Sequence, residues 1–359
     1  MIVFADGARA FALTPAQRLE RQLPRHGLKS VDSGGRLVIR GDHVYGDAVI
    51  RALKSAPAGT VLVDDNDRPL AAHVVEGEED LYLAALGGKP ENAALPENAV
   101  AKSAVQLTGR YDKVLRKRAD PIALSGQDAA RVEQVLFDAS YKGVTDFVTK
   151  YVWPAPALMA TRWCALRGIT PNQVTLASFV MVVLAFWLFW TGQFAAGLVC
   201  AWIMTFLDTL DGKLARVTLT ASKWGDVFDH GIDLIHPPFW WWAWAVGCGA
   251  VGQPLDDQGW TLGIIVAGYV LQRGQEGLFI ARFGIEMHIW RRFDSIFRLY
   301  TARRNPNLVI LTVFTLFGEP RLGLIVVAVW VALSFLVHMV QIVQAFLAPH
   351  PLTSWLADA

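Results

Sequence analysis

Apolar residues follow two different patterns along this chain, and the change comes near residue 145. Beyond it lie six apolar blocks, at about 173–191, 194–215, 226–249, 260–281, 306–318 and 321–347. A helix needs roughly 20 apolar residues to cross the hydrocarbon core, so each block reads as a membrane span. The fifth is the shortest, and a start before Asn305 or a tilt is expected of it. Before residue 140 the apolar runs are short and broken by polar stretches. Leu37–Ile39, Thr60–Val63 and Ala71–Val75 read as strands, Pro15–Leu23, Gly46–Leu53 and Gln127–Ser140 as helices, and Gly87–Asn92 as a loop. Between the two parts, Val144–Arg167 mixes Phe147, Tyr151, Trp153, Met159 and Trp163 with Lys150, Arg162 and Arg167. That mixture suits an amphipathic segment lying on the membrane surface.

The expected fold is therefore an α-helical integral membrane domain of six transmembrane helices, residues 171–350, preceded by a small cytoplasmic α/β domain, residues 1–140. Residues 141–170 form the juxtamembrane link. Composition agrees: 53% of the 359 residues are hydrophobic and 14 are Trp, too apolar for an ordinary soluble enzyme. A net charge of +1 gives no general attraction to nucleic acid. Cys164, Cys200 and Cys248 lie far apart, which argues against a disulfide framework or a zinc site. Met1–Asp6 lacks the features of a secretory signal. Basic residues gather in alternate connections: Arg216 and Lys223 in one, Arg282, Arg291, Arg292, Arg298, Arg303 and Arg304 in another. The positive-inside rule then puts both termini and these loops on the cytoplasmic side of the cell membrane. Trp240–Trp244 and Trp260 are expected to form an aromatic belt at the far interface.

The candidate chemistry sits where charge is most costly. Asp208, Asp211, Asp229 and Asp233 fall in or beside the second and third spans. Each ionised carboxylate costs about 2.5–3.5 kcal/mol at a bilayer centre even on the lenient insertion scale. Asp208 and Asp211 are three apart and Asp229 and Asp233 four apart, so each pair shares a helix face. Gly212, Ala215 and Gly225 leave room beside them for a flat ligand. Oxygen ligands without His or Cys suit Mg²⁺ or Mn²⁺. Two such ions would bridge a pyrophosphate and stabilise the charge that develops on a leaving phosphate. A cation-binding transporter that uses the same aspartates for gating is the alternative from another class. Of the remaining polar residues, Arg273 and Glu276 are placed to pair or to line a cavity, His236 with Pro237 and Pro238 is expected to mark a kink, and His338 is expected to pack. His230 is expected to pack or to tune the site.

The frame Asp208-x2-Asp211-Gly212-x2-Ala215-Arg216-x8-Gly225-x3-Asp229-x3-Asp233 resembles the signature of the CDP-alcohol phosphotransferases, which are integral membrane enzymes. The resemblance implies displacement of CMP from a CDP-linked donor by the hydroxyl of an alcohol or lipid acceptor, and a homodimer in contact with membrane lipids. It implies metal binding by Asp208, Asp211 and Asp229, with Asp233 as general base and a further metal contact. It places Gly212, Ala215, Arg216 and Gly225 around the CDP moiety. Asn172 and Thr175 of Thr170–Thr175 would approach the nucleotide. A carboxylate held ionised by neighbouring metals can take the proton of a weakly nucleophilic alcohol, which fits Asp233 one turn beyond a metal ligand. Arg303, Arg304 or Arg273 would hold a substrate phosphate, or the basic loop would serve topology and anionic lipid alone.

The first part resembles, more loosely, the nucleotidyltransferase portion of the bifunctional inositol-phosphate cytidylyltransferase/di-inositol-phosphate phosphate synthases. Thr14–Leu23 is similar to the helix after the nucleotide loop, and Leu115–Arg118 and Tyr141–Phe147 to the approach to the membrane domain. Ala5–Arg9 lacks the repeated glycines that cradle a triphosphate. An inactive domain that stabilises, regulates or recruits is expected. Asp42, Asp64 and Asp65 are acidic residues at strand ends, where solvation is commoner than metal binding.

Overall fold

A computed structural model describes residues 1–3, 7–87, 95–108, 123–221 and 223–357, without the side chains of residues 123, 223, 224, 226, 229, 230 and 357. Most of the expected loop at Gly87–Asn92, all of Leu115–Arg118, and Ala5 and Asp6 lie outside these residues. The chain divides into two compact units: Met1–Tyr141 with Arg216–Leu219, and Lys142–Ala215 with Thr220–Ala359.

The first unit is α/β. In chain order it contains β1 (Ile2–Val3), α1 (Pro15–Gln22), β2 (Leu37–Arg40), β3 (His43–Tyr45), α2 (Asp47–Ser55), β4 (Thr60–Val63), β5 (Pro69–His73) and α3 (Glu79–Gly87). β6 (Val100–Ser103), α4 (Ala104–Thr108), β7 (Ala123–Ser125) and α5 (Ala129–Ala139) complete it. The main sheet has the order β1-β2-β5-β4-β6, with β1/β2 and β4/β6 parallel and the inner pairs antiparallel. β3 and β7 form a separate antiparallel pair. Strand alternation sends side chains to two cores. Leu37, Ile39 and Leu62 pack with Leu19, Val49, Ile50 and Leu53, while Val38, Val61 and Val63 pack with Tyr82 and Leu86. α1 starts where Thr14 and Gln17 form a capping box and Pro15 opens the first turn. Asp42 accepts from Arg40 Nη2 at 2.6 Å and lies 2.7 Å from His43 Nδ1. Burial would raise its pKa, but these two partners outweigh burial and hold the carboxyl well below the usual range. Asp64 Oδ1 accepts the backbone N–H groups of Asn66 and Arg68 at 2.8 and 2.9 Å. Both acids are thus engaged in local structure.

The second unit is helical. After a short helical turn at Val148–Val152 come α6 (Pro154–Leu166), α7 (Pro171–Trp190), α8 (Phe194–Val217, whose last two residues count with the first unit) and α9 (Lys223–Ala250). α10 (Gln258–Phe283), α11 (Arg292–Phe297), α12 (Arg304–Leu316) and α13 (Pro320–Leu347) follow. A helix stands at each of the six expected spans. Among the described residues α7, α8 and α13 are long and apolar enough to cross a membrane by length and composition. α12 begins at Arg304, before Asn305, and its 13 residues make it the shortest of the six. Pro154 starts α6, and Phe147, Tyr151, Met159, Trp163 and Leu166 are exposed along this segment.

Three of the five tryptophans expected in the aromatic belt are buried instead. Trp240, Trp241 and Trp244 are at most 2% exposed and pack with Phe189, Phe194 and Met204. Their indole donors find carbonyls inside the bundle: Trp240 Nε1 to Val182 at 3.0 Å and Trp244 Nε1 to Pro320 at 2.9 Å. A buried donor with such partners is satisfied without the wet interface that a belt supplies. Trp242 and Trp260 remain exposed. Gly247 lets α9 meet the end of α7: a Cβ built there would lie 1.9 Å from the carbonyl oxygen of Phe189.

Candidate active site

Four helices bring the polar residues together. Thr170 and Gln173 form a capping box at the start of α7, so the Thr-Pro-Asn-Gln sequence is first of all a helix start. One turn further on, Thr175 Oγ1 lies 2.7 Å from Asp211 Oδ2 and 3.0 Å from the Pro171 carbonyl. Asp211 is 3% exposed, and its Oδ1 is buried with no hydrogen-bond partner among the described residues. Such an orphaned carboxylate oxygen is costly unless something further binds it.

Asp208, one turn before Asp211 on α8, and Asp233 on α9 meet at one guanidinium. Arg304, the first residue of α12, donates from Nη2 to Asp208 Oδ2 at 2.6 Å and from Nη1 to Asp233 Oδ1 at 2.5 Å. This pairing joins Arg304 to residues 96 and 71 positions away in the sequence. Asp233 is also the more open carboxylate, its side chain 39% exposed against 15% for Asp208. Its openness suits a group that must reach a substrate.

The backbone at Asp233 is unusual for a sequence reason. Pro237 and Pro238 lie inside α9 and have no N–H, so the carbonyls of Asp233 and Leu234 lose their helical donors. The Tyr269 hydroxyl of α10 stands 3.1 Å from the Leu234 carbonyl and 3.4 Å from that of Asp233. Tyr269 was missed by sequence reasoning, although the Pro-Pro pair signals that a donor must come from elsewhere. His236 packs against Trp240 and its Nδ1 lies 2.7 Å from the Ile232 carbonyl, a packing role.

Arg303 turns the other way and pairs with Glu276 of α10. Glu276 also lies 3.2 Å from His288 Nε2 and 3.8 Å from Arg273 Nη1. Arg273 stacks over the Tyr269 ring at 5.4 Å. Arg298 is near this group, and its Nη1 is buried without a partner among the described residues. Burial first, and the nearby Arg303 second, push its pKa down to about 9. Burial likewise pushes His288 down to about 3, against the pull of Glu276. His338 is fully buried against His288 and Phe297.

The start of α12 is anchored by Asp146, another residue that the sequence did not single out. Its Oδ1 accepts from Asn305 Nδ2 and from the Thr149 N–H, both at 3.0 Å. Burial would raise the Asp146 pKa, but these donors and Arg298 hold it below the usual carboxylate range.

Of the remaining expected site residues, Asn172 is exposed in the first turn of α7 and Arg216 in the last turn of α8. Gly212 and Ala215 follow Asp211 on α8, and Gly225 lies in the first turn of α9. The side chains of Asp229 and His230 lie outside the described residues. Among those residues no group of three or more His, Cys, Asp or Glu side chains could hold a metal. Even so, the donor set is all oxygen, and the orphaned Asp211 Oδ1 beside the Asp208–Asp233 pair fits a hard divalent ion.

Comparison with known proteins decides the class. Residues 168–340 match the CDP-alcohol phosphatidyltransferase family. The chain carries a CDP-alcohol phosphatidyltransferase domain. It is 28% identical over 179 residues to an archaetidylinositol phosphate synthase of Pyrococcus horikoshii, covering 48% of this chain and 82% of the relative. It is also 28% identical over 125 residues to a cholinephosphotransferase 1 of Xenopus laevis, covering 31% of this chain and 29% of the relative. The protein is a transferase and a membrane protein, and the family carries out phosphatidyl-group transfer in phospholipid synthesis. A CDP-alcohol donor and an alcohol or lipid acceptor fit the family, which is generally divalent-metal dependent. The transporter alternative gains no support from these matches.

Proposed function

We propose that the protein transfers a phosphatidyl or phospho-alcohol group from a CDP-linked donor to an acceptor hydroxyl with release of CMP, at a divalent-metal site on the cytoplasmic face of a six-span domain. The observation that carries this reading is the convergence of Asp208 and Asp233 from α8 and α9, beside a buried Asp211 oxygen that lacks a partner among the described residues. Asp208, Asp211 and Asp229 are assigned as metal ligands and Asp233 as general base with a further metal contact. Mg²⁺ or Mn²⁺, as two ions, would neutralise the pyrophosphate and stabilise the departing CMP. Thr175 orients Asp211, while Asn172, Gly212, Ala215, Arg216 and Gly225 border the CDP moiety. Asp233 takes the hydroxyl proton as the acceptor oxygen forms its bond to phosphorus.

A phosphate-bearing acceptor is favoured. Arg273, Arg298 and Arg303 lie around Glu276, and Arg298 Nη1 is a buried donor without an acceptor among the described residues. Forked guanidinium contacts to a phosphate would satisfy it. The archaeal relative is named for synthesis of an inositol phosphate lipid, which is consistent with this choice. In the first unit Asp42 and Asp64 are already engaged by neighbours, which supports a domain without nucleotidyl transfer. A homodimer is proposed on the family resemblance alone.

The test is purified protein given CDP-diacylglycerol and CDP-polar alcohols with phosphorylated and unphosphorylated acceptors, with and without Mg²⁺, assayed for CMP. Release that needs both Mg²⁺ and a phosphorylated acceptor is expected. Release with unphosphorylated acceptors alone would overturn the acceptor assignment, and none with any pair would overturn the reaction.

A further inference from the structure

The position of Arg304 is unexpected for a metal site. Its two terminal nitrogens each hold one oxygen of Asp208 and Asp233, two carboxylates on different helices. A guanidinium fork delivers two donors from one plane, and the Asp208 and Asp233 carboxyl groups it holds are themselves close neighbours. Oxygen ligands of a small divalent ion, each at about 2.0–2.1 Å from it, also have to face each other closely. Arg304 therefore occupies the gap that a cation bridging Asp208 and Asp233 would take. Its side chain is 15% exposed and its Nε has no partner among the described residues, so its head group is held by the two aspartates, with the Met204 sulfur 3.6 Å from Nη1. Without such a cation the two carboxylates would repel each other across a poorly hydrated space.

We propose that Arg304 is a positioning residue that serves as the resident cation of the aspartate frame, holding Asp208 and Asp233 together until a divalent ion displaces it. This rests on the reading of the frame as a divalent-metal site. The assignment differs from a phosphate-binding role for Arg304, and also from a support role in which the arginine stays in place and steadies metal-bound carboxylates. A displaced internal cation competes with the metal, so removing it should tighten metal binding; a support residue, when removed, should loosen it.

The experiment uses the purified full chain in detergent, with Mn²⁺ alone as the probe. Free Mn²⁺ is read by electron paramagnetic resonance, and thermal unfolding is followed with and without the ion. For Arg304→Gln the inference expects a lower midpoint without metal, a larger rise on adding Mn²⁺, and Mn²⁺ binding about tenfold tighter than wild type. Arg304→Lys keeps a cation that can hold only one carboxylate at a time, and should fall between the two. It carries the test alone should the Gln variant fail to fold. Mn²⁺ binding weaker than or equal to wild type in these variants overturns the inference while leaving the metal site standing. Absence of saturable Mn²⁺ binding by wild type removes the metal reading and the inference with it.

Discussion

Replacing Tyr269 by Phe removes a single oxygen and tests how the backbone at Asp233 is held. Pro237 and Pro238 leave the Asp233 and Leu234 carbonyls without helical donors, and the Tyr269 hydroxyl is 3.1 Å from the second of them. The ring itself would stay, with Arg273 still stacked over it. Inter-helix hydrogen bonds in membranes average about 0.6 kcal/mol and reach about 1.7 kcal/mol. Because Tyr269 is the donor that reaches the freed carbonyls among the described residues, the upper part of that range applies, and about 1–1.7 kcal/mol should be lost. Thermal unfolding of the variant in detergent should fall by about 2–6 °C for a unit of this size. Since Asp233 shares the freed turn, kcat for CMP release should fall about three- to tenfold with KM for the CDP donor little changed. An unchanged midpoint with unchanged kcat would refute the argument. A rise in KM alone would mean that Tyr269 binds substrate instead.

Gly247→Ala should destabilise the bundle strongly, because the added methyl would meet the Phe189 carbonyl at 1.9 Å; unfolding within 1 °C or so of wild type would refute that close approach. Asp146→Ala removes two charge-assisted hydrogen bonds, one to Asn305 of α12 and one to the Thr149 N–H of the Val148–Val152 turn, and should cost about 3 kcal/mol, with Asp146→Asn costing less because it keeps an acceptor. Equal losses in the two variants would contradict that assignment. His288 has a folded pKa near 3, below its unfolded value of 6.5, so the unfolded chain takes up the proton first. Its contribution is complete above about pH 6.5 and is lost as pH falls towards 3, by up to about 1.4 kcal/mol per pH unit. The unfolding midpoint should drop more steeply between pH 6.5 and 5 in wild type than in His288→Gln, as about one proton's worth of linkage predicts; parallel curves would count against it.

The parts of this protein that were legible in its sequence are those set by local rules. The strand alternation of Leu37–Ile39 and Thr60–Val63, the helix at Pro15–Leu23 and the spacing that puts Asp208 and Asp211 on one helix face all follow from short-range rules. The short β3/β7 pair was missed because it joins segments about 80 residues apart with three residues on each side. Arg304 was recognised as a cation of the site loop, yet its pairing with Asp208 and Asp233 depends on how α12 packs beside α8 and α9. Asp146 with Asn305 is hidden in the same way, since the partners are 159 residues apart. Trp240, Trp241 and Trp244 were misread because hydropathy cannot tell a lipid-facing indole from one inside the bundle. That distinction needs the carbonyls of Val182 and Pro320, which only the fold supplies.

The central claim is that Asp233 takes the proton of the acceptor while the rest of the frame binds the CDP end of the donor. The direct measurement is CMP release by Asp233→Asn beside wild type, with binding of the CDP donor measured on the same samples in Mg²⁺ and in chelator. The account predicts Mg²⁺-dependent donor binding close to wild type and CMP release lowered by at least about a hundredfold. Turnover at the wild-type rate in that variant would contradict it.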